Sequence, residues 1–312
     1  MILDLIIIIL LFILVFMILC GYYSLAERKV MAAVQLRIGP GLFIAGILTP
    51  ITDGLKLLFK NALLIISVDF IYLFLNLFIV MLCMFASIFF FPLGFIMFCD
   101  FNFGIFSVIA LHLTLNICGV YIIGCYMFCS CYVYMASMRT LYFSILIEVS
   151  IINIFIVSFV IDMFSFYSLK EIAISQLFVE NIYMLGILYS IILCVIMLID
   201  GMKLPFDYIE CESELVAGLV TEFSGLFFVI YSLVEINHTL LNSITIVCLL
   251  LGGYYICFKS LFIIFLVFMI PRCICYRLKV TNTQVLIINY IYLIGLLLLL
   301  YNFMIKIILV NL

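Results

Sequence analysis

Long apolar runs separated by short polar stretches make up almost the whole chain, and the runs have membrane-spanning length. Eight stand out, over about 2–24, 70–92, 103–128, 139–161, 177–199, 214–240, 254–271 and 284–308. Each is close to the roughly 20 residues that carry a helix across a hydrocarbon core. Within hydrocarbon a segment must satisfy its own backbone hydrogen bonds, and none of the runs alternates like a barrel strand, so all eight are predicted to be helices. The expected fold class is an all-α polytopic membrane protein, a single transmembrane domain over 1–312 with about eight transmembrane helices. The first run has neither a basic leader region nor a small-residue cleavage site and reads as a span, not a signal peptide.

The longest polar interval, 25–69, breaks at Pro40-Gly41, Gly46 and Pro50 and then regains periodicity. From about Ile47 to Leu64, the residues Ile51, Leu55, Leu58 and Phe59 form an apolar stripe against Asp53, Lys56 and Lys60. This pattern predicts an interfacial amphipathic helix after the first span.

Composition removes the soluble alternatives. The chain is 70% apolar and 9% charged, with a mean hydropathy of +1.53, whereas soluble domains carry about 25% charged residues. A large soluble catalytic domain is excluded. The net charge of -3 designates no partner, nucleic acid included. The distribution of charge says more. Of the 13 Lys and Arg residues, ten fall in the loops after spans one, three, five and seven: Arg28, Lys29, Arg37, Lys56, Lys60, Arg139, Lys203, Arg272, Arg277 and Lys279. That asymmetry assigns these four loops to the positive, matrix or cytoplasmic face and both termini to the other.

The 13 cysteines lie mostly in apolar stretches, where Cys behaves as a small buried hydrophobe. Cys129 with Cys131 and Cys273 with Cys275 fall on one expected face, but a C-x-C spacing does not suit a structural zinc site, and no metal site is expected. His112 and Asn116, one helical turn apart, suit an interhelical hydrogen bond; His238 stands remote from them.

Three polar constellations remain. In the first, Glu27, Arg28, Arg37, Asp53 and Lys56 alternate in sign between the first span and the amphipathic helix. A positive flank accounts for Arg28 and Lys29 but not for Arg37 or the Gly-Pro break beyond it. Such a cluster can form a polar mouth at membrane level that admits an amphiphile. The second, from Asp200 to Glu214, packs Asp200, Lys203, Asp207, Glu210, Glu212 and Glu214 into fifteen residues. Helix caps explain two or three of these acids, with Asp207 and Glu210 at capping-box spacing and Ser213 and Glu214 at the start of the sixth span. Glu210, Glu212 and Glu214 cannot share one helical face, so this stretch is expected to line or turn through a hydrated cavity. Packed carboxylates raise some of their pKa values towards neutrality, as a proton-carrying site requires. The third comprises Glu148, Glu222 and Glu235 inside predicted spans, where an acid costs about 2.5 to 3.5 kcal/mol and calls for a partner or a water path.

These motifs carry a resemblance. The runs Glu27-Arg28-Lys29, Gln35-Leu-Arg37-x-Gly39-Pro40 and Pro50-x-x-Asp53-Gly-Leu-Lys56 resemble subunit 1 of the proton-pumping NADH:quinone oxidoreductases, respiratory complex I. So does Pro205-Phe206-Asp207-x-x-Glu210-x-Glu212-Ser-Glu214-Leu-Val-x-Gly218, followed by Glu222-Phe-Ser-Gly225 and Glu235. The resemblance implies a membrane subunit that forms a ubiquinone chamber at the junction with a peripheral redox arm, with ubiquinone as substrate. It implies no covalently bound cofactor here, and flavin and iron–sulfur clusters in partner subunits. By position, Glu27, Arg28, Arg37, Asp53 and Lys56 match the quinone access and tunnel. Lys203, Phe206, Asp207 and Glu210 match the loop facing the chamber. Glu148, Asp200, Glu212, Glu214, Glu222 and Glu235 match an acidic proton path. The chain departs from the family in having Asp200 and Lys203 where Glu and Arg are usual, and Lys lacks the bidentate geometry of Arg. The residues between Arg139 and Glu148 differ too, Asn61 stands in place of an acid, and the loop before Pro50 is one residue short.

The partners so implied are peripheral-arm iron–sulfur subunits, other membrane-arm subunits and lipids, in a mitochondrial inner membrane or, alternatively, a bacterial plasma membrane. Two rival functions use the same features. A membrane-bound hydrogenase or ferredoxin-dependent complex would differ in its neighbouring subunits, and a stand-alone proton transporter would be expected to carry repeats or broken helices.

Overall fold

A computed structural model of the chain describes residues 2–41, 46–60, 75, 78–82, 131–161, 183–208, 212–216, 218, 223–250 and 256–311. The expected spans over 70–92 and 103–128, the acids Glu210 and Glu222, and His112, Asn116 and Cys129 lie wholly or almost wholly outside these residues.

Every regular element among the described residues is helical. Helix α1 runs over Ile2–Val34, ten residues past the expected end of the first span. Hydropathy marks the thickness of hydrocarbon, not the end of the hydrogen-bond ladder, and Ala26, Glu27, Arg28 and Lys29 continue the helix as good helix formers. It stops at Leu36, whose φ of 54° lets the Arg37 N–H reach the Ala32 carbonyl at 2.9 Å and the Leu36 N–H reach that of Ala33 at 3.2 Å, a Schellman ending.

Helix α2, Thr49–Leu58, follows with Pro50 in its first turn, where the missing N–H costs nothing. Its entry depends on Gly46. There φ is +84° and a Cβ would meet the Pro40 carbonyl oxygen at 2.4 Å, so only glycine fits. The Thr49 hydroxyl donates to the Gly46 carbonyl at 2.7 Å. No α2 side chain is buried; the helix lies on α1 and on the later helix Leu226–Leu250.

Helix α3 (Cys131–Ile161) and helix α4 (Tyr183–Asp200) pack on each other. The short α5 (Glu212–Leu215) precedes α6, Leu226–Leu250. The expected sixth span therefore begins at Leu226, not at 214. Positive φ at Val216, Gly218 and Gly225 turns the backbone away from helix between α5 and α6. Beyond α6, Ile256–Ile263, a π-helical stretch Ile264–Met269 and Ile270–Ile274 form α7. Val280–Val285, a second π stretch Leu286–Tyr292 and Leu293–Asn311 form α8, which packs on α3.

Among the described residues, three segments, Cys131–Asn153, Leu226–Val247 and Val280–Tyr301, are long and apolar enough to cross a membrane. Among the described side chains of α3 the buried positions are Val133, Ala136, Ser137, Thr140, Phe143, Ser144, Ile147, Ser150 and Ile151, while Tyr132, Met135, Tyr142, Ile145 and Val149 are exposed. The spacing is helical, but both faces are apolar, and small polar residues mark the inner one. This is the pattern of helices packed in lipid, where close approach replaces the hydrophobic drive. The Ser137, Thr140, Ser144 and Ser150 hydroxyls each donate to the carbonyl three residues back, at 2.6–2.9 Å, so they enter the interior satisfied. The core joins Phe143 and Ile147 of α3, Leu193 and Ile196 of α4, Leu241 and Ile244 of α6, and Ile287 and Ile291 of α8.

Candidate functional site

Residues that follow the first, fifth and seventh expected spans meet one another. The extension of α1 carries Glu27 and Arg28 out of the apolar stretch and over α2. Arg28 Nη1 donates to Asp53 Oδ2 at 3.1 Å. Glu27 pairs with Arg272, at the end of α7. Arg37, just past α1, donates from Nε to Gln35 Oε1 at 2.8 Å.

Two cavities open around these groups. One, of about 480 Å³, runs between α1, α2 and α6 and is lined by Ser24, Arg28, Asp53, Lys56, Lys60 and the apolar Phe228, Leu233 and Ile236. The other, of about 560 Å³, is bordered by Glu27, Arg28, Arg37, Ile38, Pro40 and Arg272. Arg28 belongs to both walls. All five residues of the first sequence constellation thus gather at one place, with charged groups on one side and apolar α6 side chains on the other. Volumes of this order suit a ring-sized organic group.

The second constellation divides. Helix α4 ends at Asp200, where the Gly201 N–H bonds the Met197 carbonyl at 3.0 Å and Met202 takes a positive φ of 47°. The loop beyond runs through a cis Leu204–Pro205 bond and is tied to the Arg272–Lys279 loop by the Leu278 N–H donating to the Pro205 carbonyl at 3.1 Å. Phe206 is buried and Asp207 half-buried. Tyr208 stacks on Phe143 with ring centroids 4.1 Å apart, which fixes the loop against α3.

Asp200 is 1% exposed. It accepts from Asn242 Nδ2 at 2.9 Å, and its Oδ2 lies 3.0 Å from His238 Nε2. One turn away along α6, Glu235 pairs with Lys203. The end of α4 and the loop beyond it therefore match α6 at two levels, Lys203 with Glu235, and Asp200 with His238 and Asn242. Glu148 comes from α3 and interacts electrostatically with Asp200; its Oε1 is buried without a hydrogen-bond partner among the described residues.

Glu214 stands apart from these rows. Its carboxylate accepts from Arg139 Nη1 at 2.5 Å and lies 3.8 Å from Arg277 Nη2. The Arg139 hydrogen bond holds its carboxyl below the usual carboxylate range, against the opposing effect of partial burial, and Arg277 adds to the lowering. Glu212 lies on the same short helix α5. The start of α3 is thereby clamped to α5 and to the loop after α7.

Sequence reasoning missed His238, Asn242, Arg272 and Arg277 as partners of these acids. The signal for two of them was present: Glu235, His238 and Asn242 follow one another at three and four residues, one face of a helix.

Helices with lipid-type packing, and loops whose ion pairs and cavities collect on one side, define a polytopic membrane protein with a charged working face. The comparisons with known proteins then identify the family. A family model described as NADH dehydrogenase matches residues 6–303. Chain 1 of NADH-ubiquinone oxidoreductase from Leishmania tarentolae is 45% identical over 305 residues, 98% of this chain and 97% of that protein. The chain 1 protein of Chondrus crispus is 31% identical over 75% of this chain and 71% of its own length. A bacterial relative, an NADH-quinone oxidoreductase subunit from Rickettsia typhi, is 32% identical over 76% of this chain and 70% of its own length. The chain belongs to the NADH dehydrogenase family that contains these respiratory membrane subunits.

Proposed function

We propose that this chain is the membrane subunit of a proton-translocating NADH:ubiquinone oxidoreductase that forms its ubiquinone chamber and begins its proton path. Ubiquinone is the substrate. Electrons reach it from flavin and iron–sulfur clusters held by peripheral-arm subunits, which dock on the charged face, and other membrane-arm subunits flank the bundle. The setting is a mitochondrial inner membrane, with eight spans and both termini on the face opposite the charged loops.

The observation that carries the reading is the position of Arg28. It lies on the walls of both the 480 Å³ and the 560 Å³ cavities and is oriented by Asp53. A quinone needs this combination: apolar α6 side chains for its tail and ring, and charged or polar donors for its two carbonyl oxygens. In this reading Glu27, Arg28, Arg37, Asp53 and Lys56 line the access route, and Lys203, Phe206, Asp207 and Glu210 face the chamber. Reduction of the quinone takes up two electrons and two protons. The acids Asp200, Glu212, Glu214, Glu222 and Glu235 lead from that proton demand towards Glu148 in the membrane. Glu235, Asp200 and Glu148 support this best, because they follow one another from the loop face into the α3–α4–α6 core.

Arg37→Met in the assembled complex should impair quinone reduction while electron transfer from NADH to an artificial acceptor persists. Unaltered quinone kinetics would remove Arg37 from the site. The topology is tested by cysteine labelling from each side, which should find positions 37, 203 and 277 on one face; opposite faces would sink the eight-span arrangement.

A further inference from the structure

His238 has no place in the acidic path described above, yet the structure sets it in the middle of that path. It is 7% exposed and sits on α6 three residues after Glu235 and four before Asn242, so the three side chains share a face. Its Nε2 is 3.0 Å from Asp200 Oδ2, the oxygen that also accepts from Asn242. The groups around it come from four helices. Asp200 lies at the end of α4, with Lys203 just beyond it. Glu235 shares α6, Glu148 interacts with Asp200 from α3, and Tyr23 of α1 is hydrogen-bonded to Thr239 and interacts with Lys203 and Glu235.

We propose that His238 is a proton-relay residue between Glu235, at the loop end of the ladder, and Asp200, at its membrane end. The inference rests on the proton-path reading given above. Asp200 and Glu235 belong to different helices, and only the imidazole lies on α6 within a turn of Glu235 while touching Asp200. A neutral imidazole accepts a proton on one nitrogen and releases one from the other, so the ring carries charge across without net change. The proton leaves the Glu235 carboxyl, enters the ring, passes from Nε2 to Asp200 Oδ2 and goes on towards Glu148; no electron moves in this step. Asn242 holds the carboxylate in place for the transfer. Because His238 acts on the quinone reaction only through these acids, it is a positioning and relay group and does not touch substrate.

The test compares His238→Gln and His238→Asn in the assembled complex in its native membrane. Both replace the ring with a neutral amide that cannot titrate. Three readouts are taken: NADH oxidation by an artificial acceptor, quinone reduction with proton translocation, and the pH profile of the coupled rate. A relay predicts unchanged acceptor activity, a loss of at least about tenfold in coupled turnover, and an altered pH profile of the coupled rate. Normal turnover and an unchanged profile in either variant would overturn the inference. So would failure of both variants to assemble, since the ring would then be a structural strut. Asp200→Asn separates the two levels of the argument. If it abolishes pumping while His238→Gln pumps normally, only the relay falls; if both pump normally, the proton path itself falls.

Discussion

Asp53→Asn separates a binding role from a structural one because the structure limits how much stability the substitution can cost. The Arg28 and Asp53 side chains are 49% and 51% exposed, and exposed ion pairs contribute at most about 1 kcal/mol. No side chain of α2 is buried, so the fold around Asp53 does not depend on it. The complex should assemble at normal abundance. If Asp53 orients Arg28 towards a quinone carbonyl, the charge-assisted contact so aligned is worth about 1.5 kcal/mol, the lower end of its class because water reaches the site. That corresponds to roughly tenfold in kcat/KM for quinone. The assay is NADH:quinone reductase activity in membranes, titrated with a short-tail ubiquinone and normalised to artificial-acceptor activity. A kcat/KM within about twofold of the unsubstituted enzyme, at normal assembly, would refute the argument.

Further outcomes follow from the other pairs. Glu148→Gln should leave assembly and quinone binding intact but abolish coupled turnover and proton pumping, with Glu148→Asp retaining some of both; normal pumping by the Gln variant would exclude Glu148 as an obligatory carrier. The Glu214 carboxyl is held low in the folded state by Arg139, so its contribution is present above the ordinary carboxylate pKa and is lost as pH falls through the lowered value. Acid titration followed by native electrophoresis should therefore show an extra acid-labile step in the unsubstituted complex that is missing in Glu214→Gln. The loss at neutral pH should be under about 1 kcal/mol, because the carboxylate is substantially exposed.

Helices were the most legible part of this chain, because membrane-length apolar runs leave few alternatives. Their ends were less so. Helix α1 continues to Val34 because helix formers follow the apolar run, and α6 starts at Leu226 because the glycines and Val216 turn the backbone first. The packing face of α3 is invisible to hydropathy, since exposed Ile145 and buried Ile147 are equally apolar; the repeated Ser and Thr carry that information instead. For the site, motif spacing identified the acids and bases around Arg28 and Asp53. Their partners were not readable, because the pairs join residues far apart in sequence: Arg139 with Glu214, Glu27 with Arg272, Asp200 with His238. Sequence periodicity reports neighbours on one helix, and these contacts are set by how several helices pack.

The most direct test of the chamber is photo-crosslinking of the native complex with a photoreactive ubiquinone. The account predicts that label enters this chain within residues 21–28, 50–60 and 228–236, the segments that contribute the lining of the cavity shared by α1, α2 and α6, and that excess ubiquinone and Arg28→Met each suppress it. Label found wholly on other subunits, or on this chain only outside those segments, would contradict the assignment.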